Sequence, residues 1–253
     1  MIETKHGARA ADLAIAGLVP LSSVDWPDHL VATVFCQGCP WRCPYCQNAG
    51  ILDPHTPGIL SWEDVTALLR KRRGLLDGVV FTGGEALRQE ALVPAMQEVR
   101  EMGLSLGLHT AGAYPRRLGQ VLPLLNWVGL DIKAAPQDYR EAAGFDGGDK
   151  AWRALDLVLE EERDRSEGSD PFTYEVRLTV FPGAPAERDF PRFLSLLRQA
   201  GVEYFALQEA RTQGTDEIFQ AMAERWDKSR WRSRYEEMSR EAREAGFTSV
   251  EIR

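Results

Sequence analysis

"LVATVFCQGCPWRCPYCQNAG", Leu30 to Gly50, opens with six residues that are apolar or β-branched. It then runs into a loop holding every cysteine of the chain, Cys36, Cys39, Cys43 and Cys46. A short apolar run bounded by turn residues reads as a buried strand. Five more such runs follow: Gly78 to Thr82, Leu104 to Thr110, Trp127 to Lys133, Tyr174 to Val180 and Tyr204 to Glu209. Helical patterns separate them. In "SWEDVTALLRKRR", Ser61 and Asp64 have the spacing of a capping box, and "ALRQEALVPAMQEVREMG", "PRRLGQVLPLLN", "DKAWRALDLVLEEERD" and "ERDFPRFLSLLRQAG" read as the others. The result is an α/β fold with a parallel sheet covered on its outer face. Right-handed crossovers then give either a doubly wound sheet or a barrel, and the strand count does not separate them. A long amphipathic helix and "FTSVEIR", an edge strand, close the pattern, and "DRSEGSDP" reads as a surface loop between a helix and a strand.

In both folds the groups that do chemistry lie at the carboxyl ends of the parallel strands. The cysteines follow the first strand, "TGGE" ends the second, "HTAG" the third, "DIK" the fourth, "VFPG" the fifth and "QEAR" the sixth. All open onto one mouth.

The bulk numbers narrow the function classes. A chain of 253 residues, 44% hydrophobic and 27% charged, can bury a full core. With 30 basic against 38 acidic residues, the net charge of -8 gives no general attraction to phosphate backbones, so nucleic acid is not an expected direct partner. No apolar run approaches the roughly 18 residues of a membrane span, and the first residues lack a leader pattern. The expected compartment is the cytoplasm, where thiols stay reduced and clustered cysteines serve metals or catalysis rather than disulfides. The arginine-rich stretch near the carboxyl end has acids among its bases and reads as a solvated, ion-paired helix face, with a docking surface for another protein as the alternative.

Structural zinc favours two ligand pairs a dozen or more residues apart, whereas here the pairs are three apart. Tightly packed thiolates suit an iron-sulfur cluster, although the spacing differs from the ferredoxin run. Cys39, Cys43 and Cys46 alone form C-x3-C-x2-C, with Tyr45 before the last. That triplet resembles the signature of the radical S-adenosylmethionine superfamily. The resemblance implies a partial (β/α)6 TIM-like barrel and a 4Fe-4S cluster held by Cys39, Cys43 and Cys46. Its fourth iron is then left open for the amino and carboxylate groups of S-adenosylmethionine. Cys36, directly after an apolar strand, reads as a small buried filler.

The same resemblance extends to other strand ends. "FTGGE" sits where the superfamily has its glycine-glycine-glutamate motif, which implies that Gly83, Gly84 and Glu85 contact the cofactor's methionine amino group. "GLDIKA" is similar to the D-x-K strand end of glycyl-radical-enzyme activases and implies catalytic, cofactor-facing roles for Asp131 and Lys133. Arg177 in "YEVRLTVFPG" matches an arginine that reaches the cofactor's carboxylate or ribose, and Tyr45 is carried over with the cysteine motif. "GLVPLSSVDWPDHLVATVFCQGCPWRCPYCQN" resembles the opening of the activating proteins for anaerobic ribonucleoside-triphosphate reductase.

The departures from that subgroup are Gln47 for histidine, Cys36 for threonine, Ala86 for proline and His109 for the aspartate of "DTNG". The last puts a monovalent-cation site in doubt, and His109 reads as a structural histidine. His6, His29 and His55 lie in loops. The implied organisation is an amino-terminal extension over 1–29, a core over 30–210 and a helical extension over 211–253 that closes on a short strand. The implied function is to cleave S-adenosylmethionine and install a glycyl radical on the large subunit of anaerobic ribonucleotide reductase, fed by a flavodoxin- or ferredoxin-type electron donor. Two alternatives stand beside it: radical chemistry on a small molecule, as in 7-carboxy-7-deazaguanine synthase, and an iron-sulfur electron-transfer protein. The latter leaves Glu85, Asp131, Lys133 and Arg177 without a role.

Overall fold

The computed structural model describes residues 7–165 and 171–253, so most of "DRSEGSDP" and His6 lie outside the described residues. Eight strands are present among them: β1 (Ile15–Ser22), β2 (Val31–Cys36), β3 (Gly78–Gly83), β4 (Ser105–Thr110), β5 (Trp127–Asp131), β6 (Thr173–Val180), β7 (Tyr204–Glu209) and β8 (Ser249–Ile252). They form one sheet in the order β1 to β8, each strand beside its predecessor. A doubly wound sheet would reverse that order part-way, so the winding is that of a barrel. The pairs from β2 to β8 are parallel, and β1 and β8 remain as edges, which makes the barrel partial.

All six strands marked in the sequence are present with ends shifted by at most two residues, and "FTSVEIR" supplies β8 as a seventh parallel strand. β1 is the addition. It runs antiparallel to β2 with two register irregularities, and as an edge strand it tolerates Pro20, which has no N–H to donate.

The connections are helical: α1 (Trp62–Lys71), α2 (Leu92–Glu101), α3 (Pro115–Val121), α4 (Tyr139–Ala143), α5 (Gly148–Arg165), α6 (Pro185–Arg188), α7 (Phe190–Ala200), α8 (Glu217–Ala223) and α9 (Lys228–Glu244). α1 starts at the capping box: the Asp64 amide donates to Ser61 Oγ at 3.1 Å, and the Ser61 amide to Asp64 Oδ2 at 3.0 Å. α3 stops before Pro123, where a 3₁₀ turn takes over.

Strand alternation sorts the side chains. Val34, Phe81, Leu108, Leu130, Val176 and Leu207 point outward into the main core against the helices, each fully burying a side chain at about 1.5–3 kcal/mol. Inward, Val31, Val80 and Trp127 pack with Trp26, which comes from the β1–β2 connection and stacks on Trp127 at 5.7 Å. Gly107 makes room for this plug, since a Cβ there would lie 2.9 Å from the Trp26 ring. The amino-terminal end of the barrel is filled with aromatic rings, and the polar groups collect at the other end.

Candidate active site

The loop after β2 hangs over the carboxyl end of the barrel by backbone hydrogen bonds. The Gly38 amide donates to Ile51 O at 2.8 Å, Cys39 to Leu52 O at 3.0 Å and Arg42 to Ala143 O at 2.8 Å. Arg42 folds back to donate from Nη1 to the carbonyls of Cys39 at 2.9 Å and Trp41 at 3.0 Å. Cys39, Cys43 and Cys46 are half-buried and line a cavity of about 610 Å³, and none is in a disulfide. Cys36 is fully buried in the outer core. Burial pushes the Cys36 and Cys39 thiols up to about 12 and raises Cys43 and Cys46 as well. Burial outweighs the help that Lys133 gives these thiols, so the three that face the cavity become thiolates when a metal centre takes them.

Gly83 and Gly84 let β3 dock against this loop. Gly83 has φ of 109°, and a Cβ on it would lie 2.4 Å from Cys36 N; a Cβ on Gly84 would lie 2.4 Å from Gly38 O. The Gly84 amide donates to Cys36 O and the Glu85 amide to Gly38 O, both at 2.9 Å, while Asn48 Nδ2 donates to Gly83 O at 3.0 Å. Both glycines line the cavity, but the Glu85 side chain turns inward. Its carboxylate accepts from Thr110 Oγ1 at 2.8 and 2.9 Å, from the Ala111 amide at 3.1 Å and from the Leu87 amide at 3.3 Å. Burial outweighs these donors and raises the Glu85 carboxyl to about 7.

Asp131 ends β5, with Arg177 beside it on β6 and Lys133 two residues on. Arg177 Nε donates to Asp131 Oδ1 at 2.9 Å and Nη2 to Gly129 O at 3.2 Å. Lys133 Nζ lies 3.4 Å from Asp131 Oδ2 and 3.4 Å from Tyr45 Oη. Burial works against the Asp131 charge, but Arg177 and then Lys133 outweigh it and hold the carboxyl at about 2. Burial also opposes the Lys133 charge, yet the acidic groups around it, of which Asp131 at 3.4 Å is the one ionised, raise the ammonium's pKa above its usual value. Two cations against one anion leave this wall of the cavity positive, which suits a carboxylate ligand.

His109 lines the cavity but is fully engaged. Nε2 lies 2.6 Å from Asp25 O, an acceptor only, so that nitrogen carries the hydrogen and Nδ1 accepts from Thr82 Oγ1 at 3.4 Å. Burial first, then Arg177, lowers the His109 pKa to about 3, so the ring is neutral. The structure thus brings Cys39, Cys43, Cys46, Tyr45, Gly83, Gly84, Asp131, Lys133 and Arg177 to one cavity or its wall. Asn48, Thr82, Thr179 and Gln208 also line it and are missed by motif reading; only their position at strand ends and in the loop marks them.

The model of the radical SAM superfamily matches residues 33–183, well over half of the chain and the whole segment from β2 to the turn after β6. The chain belongs to the radical SAM superfamily. Among curated relatives, it is 29% identical over 133 residues to a protein of Methanocaldococcus jannaschii named as a glycyl-radical enzyme activating enzyme, covering 50% of this chain and 53% of the relative. It is 31% identical over 129 residues to the pyruvate formate-lyase-activating enzyme of Clostridium pasteurianum, covering 49% and 54%. It is 29% identical over 116 residues to the 7-carboxy-7-deazaguanine synthase of Thermococcus kodakarensis, covering 38% and 46%. The chain thus spans about half the length of the curated relatives it matches. Among solved structures, TYW1 with a lysine-pyruvate adduct bound has the same fold, with a TM-score of 0.58 at 14% identity over 85% of this chain and 73% of that one.

Radical SAM enzymes use a 4Fe-4S cluster and S-adenosylmethionine. The donor set here fits them: three cysteines share the cavity while the fourth cysteine of the loop is buried in the outer core, and the positive wall adjoins the loop where Lys133 meets Tyr45. Among the described residues no three His, Cys, Asp or Glu side chains gather as for a single metal ion.

Proposed function

We propose that this chain is a glycyl-radical-enzyme activase whose target is the large subunit of anaerobic ribonucleotide reductase. When bound, the cluster and S-adenosylmethionine supply a 5'-deoxyadenosyl radical that takes hydrogen from a glycine α-carbon. The protein's own contribution is placement. Cys39, Cys43 and Cys46 would hold three irons, and Arg177 and Lys133 would receive the cofactor's carboxylate. Gly83 and Gly84 keep β3 and the cysteine loop in contact, and the Trp26 plug shuts water out from below.

The observation that carries this reading is the open sheet. β1 and β8 do not pair, so the strands do not close into a ring around the mouth under the cysteine loop. A polypeptide loop can enter such a mouth beside the cavity of about 610 Å³. The similarity to a deazaguanine synthase favours the second reading, radical chemistry on a small molecule. Anaerobic mixing of the reconstituted protein with the reductase large subunit, S-adenosylmethionine and a reductant tests the two. A glycyl doublet in the electron paramagnetic resonance spectrum supports the activase. Cofactor cleavage without a doublet supports the small-molecule reading.

A further inference from the structure

Tyr139, the first residue of α4, is fully buried, and its Oη accepts from the amide of Lys133 at 3.1 Å. Burial raises its pKa above the ordinary tyrosine value, so the group stays a neutral hydroxyl. The ring stands edge-on to Trp41 at 5.5 Å and 70°, and Trp41 lies between Cys39 and Cys43 in the cysteine loop. The other end of α4 grips the same loop. Ala143 O accepts from the Arg42 amide at 2.8 Å, and Gly144, left-handed at φ 68°, lets the Arg42 carbonyl oxygen come within 3.0 Å of where a Cβ would stand. α4 is a strut between the cysteine loop and the chain leaving β5.

That chain is pinned peptide by peptide. The Ile132 amide donates to Arg177 O at 3.0 Å, the Lys133 amide to Tyr139 Oη, and Ala134 O accepts from Trp152 Nε1 at 3.1 Å. The Lys133 ammonium is held more loosely. Its partners, Asp131 Oδ2 and Tyr45 Oη, are each 3.4 Å away, at the outer limit of a hydrogen bond, and its stem is flexible. Where Nζ stands in the cavity is therefore set by the backbone it leaves from, and the Tyr139 hydroxyl holds that backbone at its amide. A buried amide deprived of its acceptor turns toward another, and the side chain it carries turns with it.

We infer that Tyr139 is a positioning residue: through the Lys133 amide it aims the ammonium at the place in the cavity where the carboxylate of S-adenosylmethionine is received. The inference rests on the reading that Lys133 is one of the groups that receive that carboxylate. Tyr139 stands behind the cavity wall that Lys133 lines, so its effect on the cofactor passes through Lys133. A buried hydroxyl on a short helix, its own ring packed on Trp41, is a rigid support for a long side chain in front of it.

Calorimetry with S-adenosylmethionine on the cluster-loaded protein tests it through a cycle of Tyr139→Phe, Lys133→Met and the double variant. Tyr139→Phe keeps the ring against Trp41 and removes one oxygen. It is expected to leave the iron content unchanged and to weaken binding about fivefold in the wild-type background, but less than about twofold beside Lys133→Met. A hydroxyl that only stiffens the fold would lower affinity equally in both backgrounds, and that result overturns the proposal. Wild-type affinity in Tyr139→Phe overturns it too. So does lost iron, since the hydroxyl would then build the cysteine loop rather than aim Lys133. The single variant Lys133→Met reports on the reading beneath: unchanged affinity there removes Lys133 from the carboxylate site and the proposal with it. Weakened binding there with an unaffected Tyr139→Phe overturns the role of Tyr139 alone.

Discussion

Arg177 and Asp131, on neighbouring strands of the barrel, hold each other at 2.9 Å between Nε and Oδ1. A Cβ on Gly129 would lie 2.8 Å from the guanidinium carbon, so the side chain lies flat across β5 only because residue 129 is glycine. The pair turns an arginine and an acid, distant in sequence, into one wall of the cavity. Replacing Arg177 by Met strips Asp131 of its main counter-charge and removes the carboxylate fork. S-Adenosylmethionine binding, measured by calorimetry on the cluster-loaded protein, is expected to weaken about tenfold or more.

The same pair sets a pH dependence. The Asp131 carboxyl is held at about 2 in the folded protein, below its ordinary value of about 3.9. Its contribution is therefore fully present above the unfolded value and is lost as pH falls toward 2. Urea unfolding of the metal-free protein between pH 5 and 2 is expected to show a wild-type advantage over Asp131→Asn of about 1–2 kcal/mol that shrinks on acidification.

Glu85 has the opposite sign. Its carboxyl is raised to about 7, so the folded state holds a proton that the unfolded state releases at about 4.3. Raising the pH from below that value to above 7 costs stability. Glu85→Gln is expected to flatten this loss: variant and wild type diverge in favour of the variant as pH climbs from 5 to 8, read from urea midpoints of the metal-free protein.

Gly84→Ala places a methyl group against the Gly38 carbonyl, which is backbone and cannot swing aside. The expected result is a displaced cysteine loop, with about 1–3 kcal/mol lost on unfolding and lowered iron content after reconstitution. Full iron content would show that the glycine is not needed for the loop to close.

Much of this was legible from residues alone. The six apolar runs became strands because each is buried on its outer face by helices, and the strand-end motifs met because parallel strands present their carboxyl ends together. β1 escaped because "IAGLVPLS" contains Gly17 and Pro20 and lies at an edge, where burial imposes no clean alternation. The inward turn of Glu85 depends on Thr110 and Ala111, one βα unit away, and the tie of His109 to Asp25 O spans 84 residues. Motif spacing carries no information on such partners. Nor does composition show that Arg234 finds acids to pair with while Arg225, Lys228, Arg230 and Arg232 have none among the described residues.

The central claim is that Cys39, Cys43 and Cys46 grip the cluster while Cys36 does not, leaving one iron for S-adenosylmethionine. Mössbauer spectra of the ⁵⁷Fe-reconstituted Cys36→Ala variant, with and without S-adenosylmethionine, test it most directly. The account predicts an intact 4Fe-4S cluster in which one iron site shifts when S-adenosylmethionine is added. Loss of the cluster in this variant, or four iron sites indifferent to S-adenosylmethionine, would contradict it.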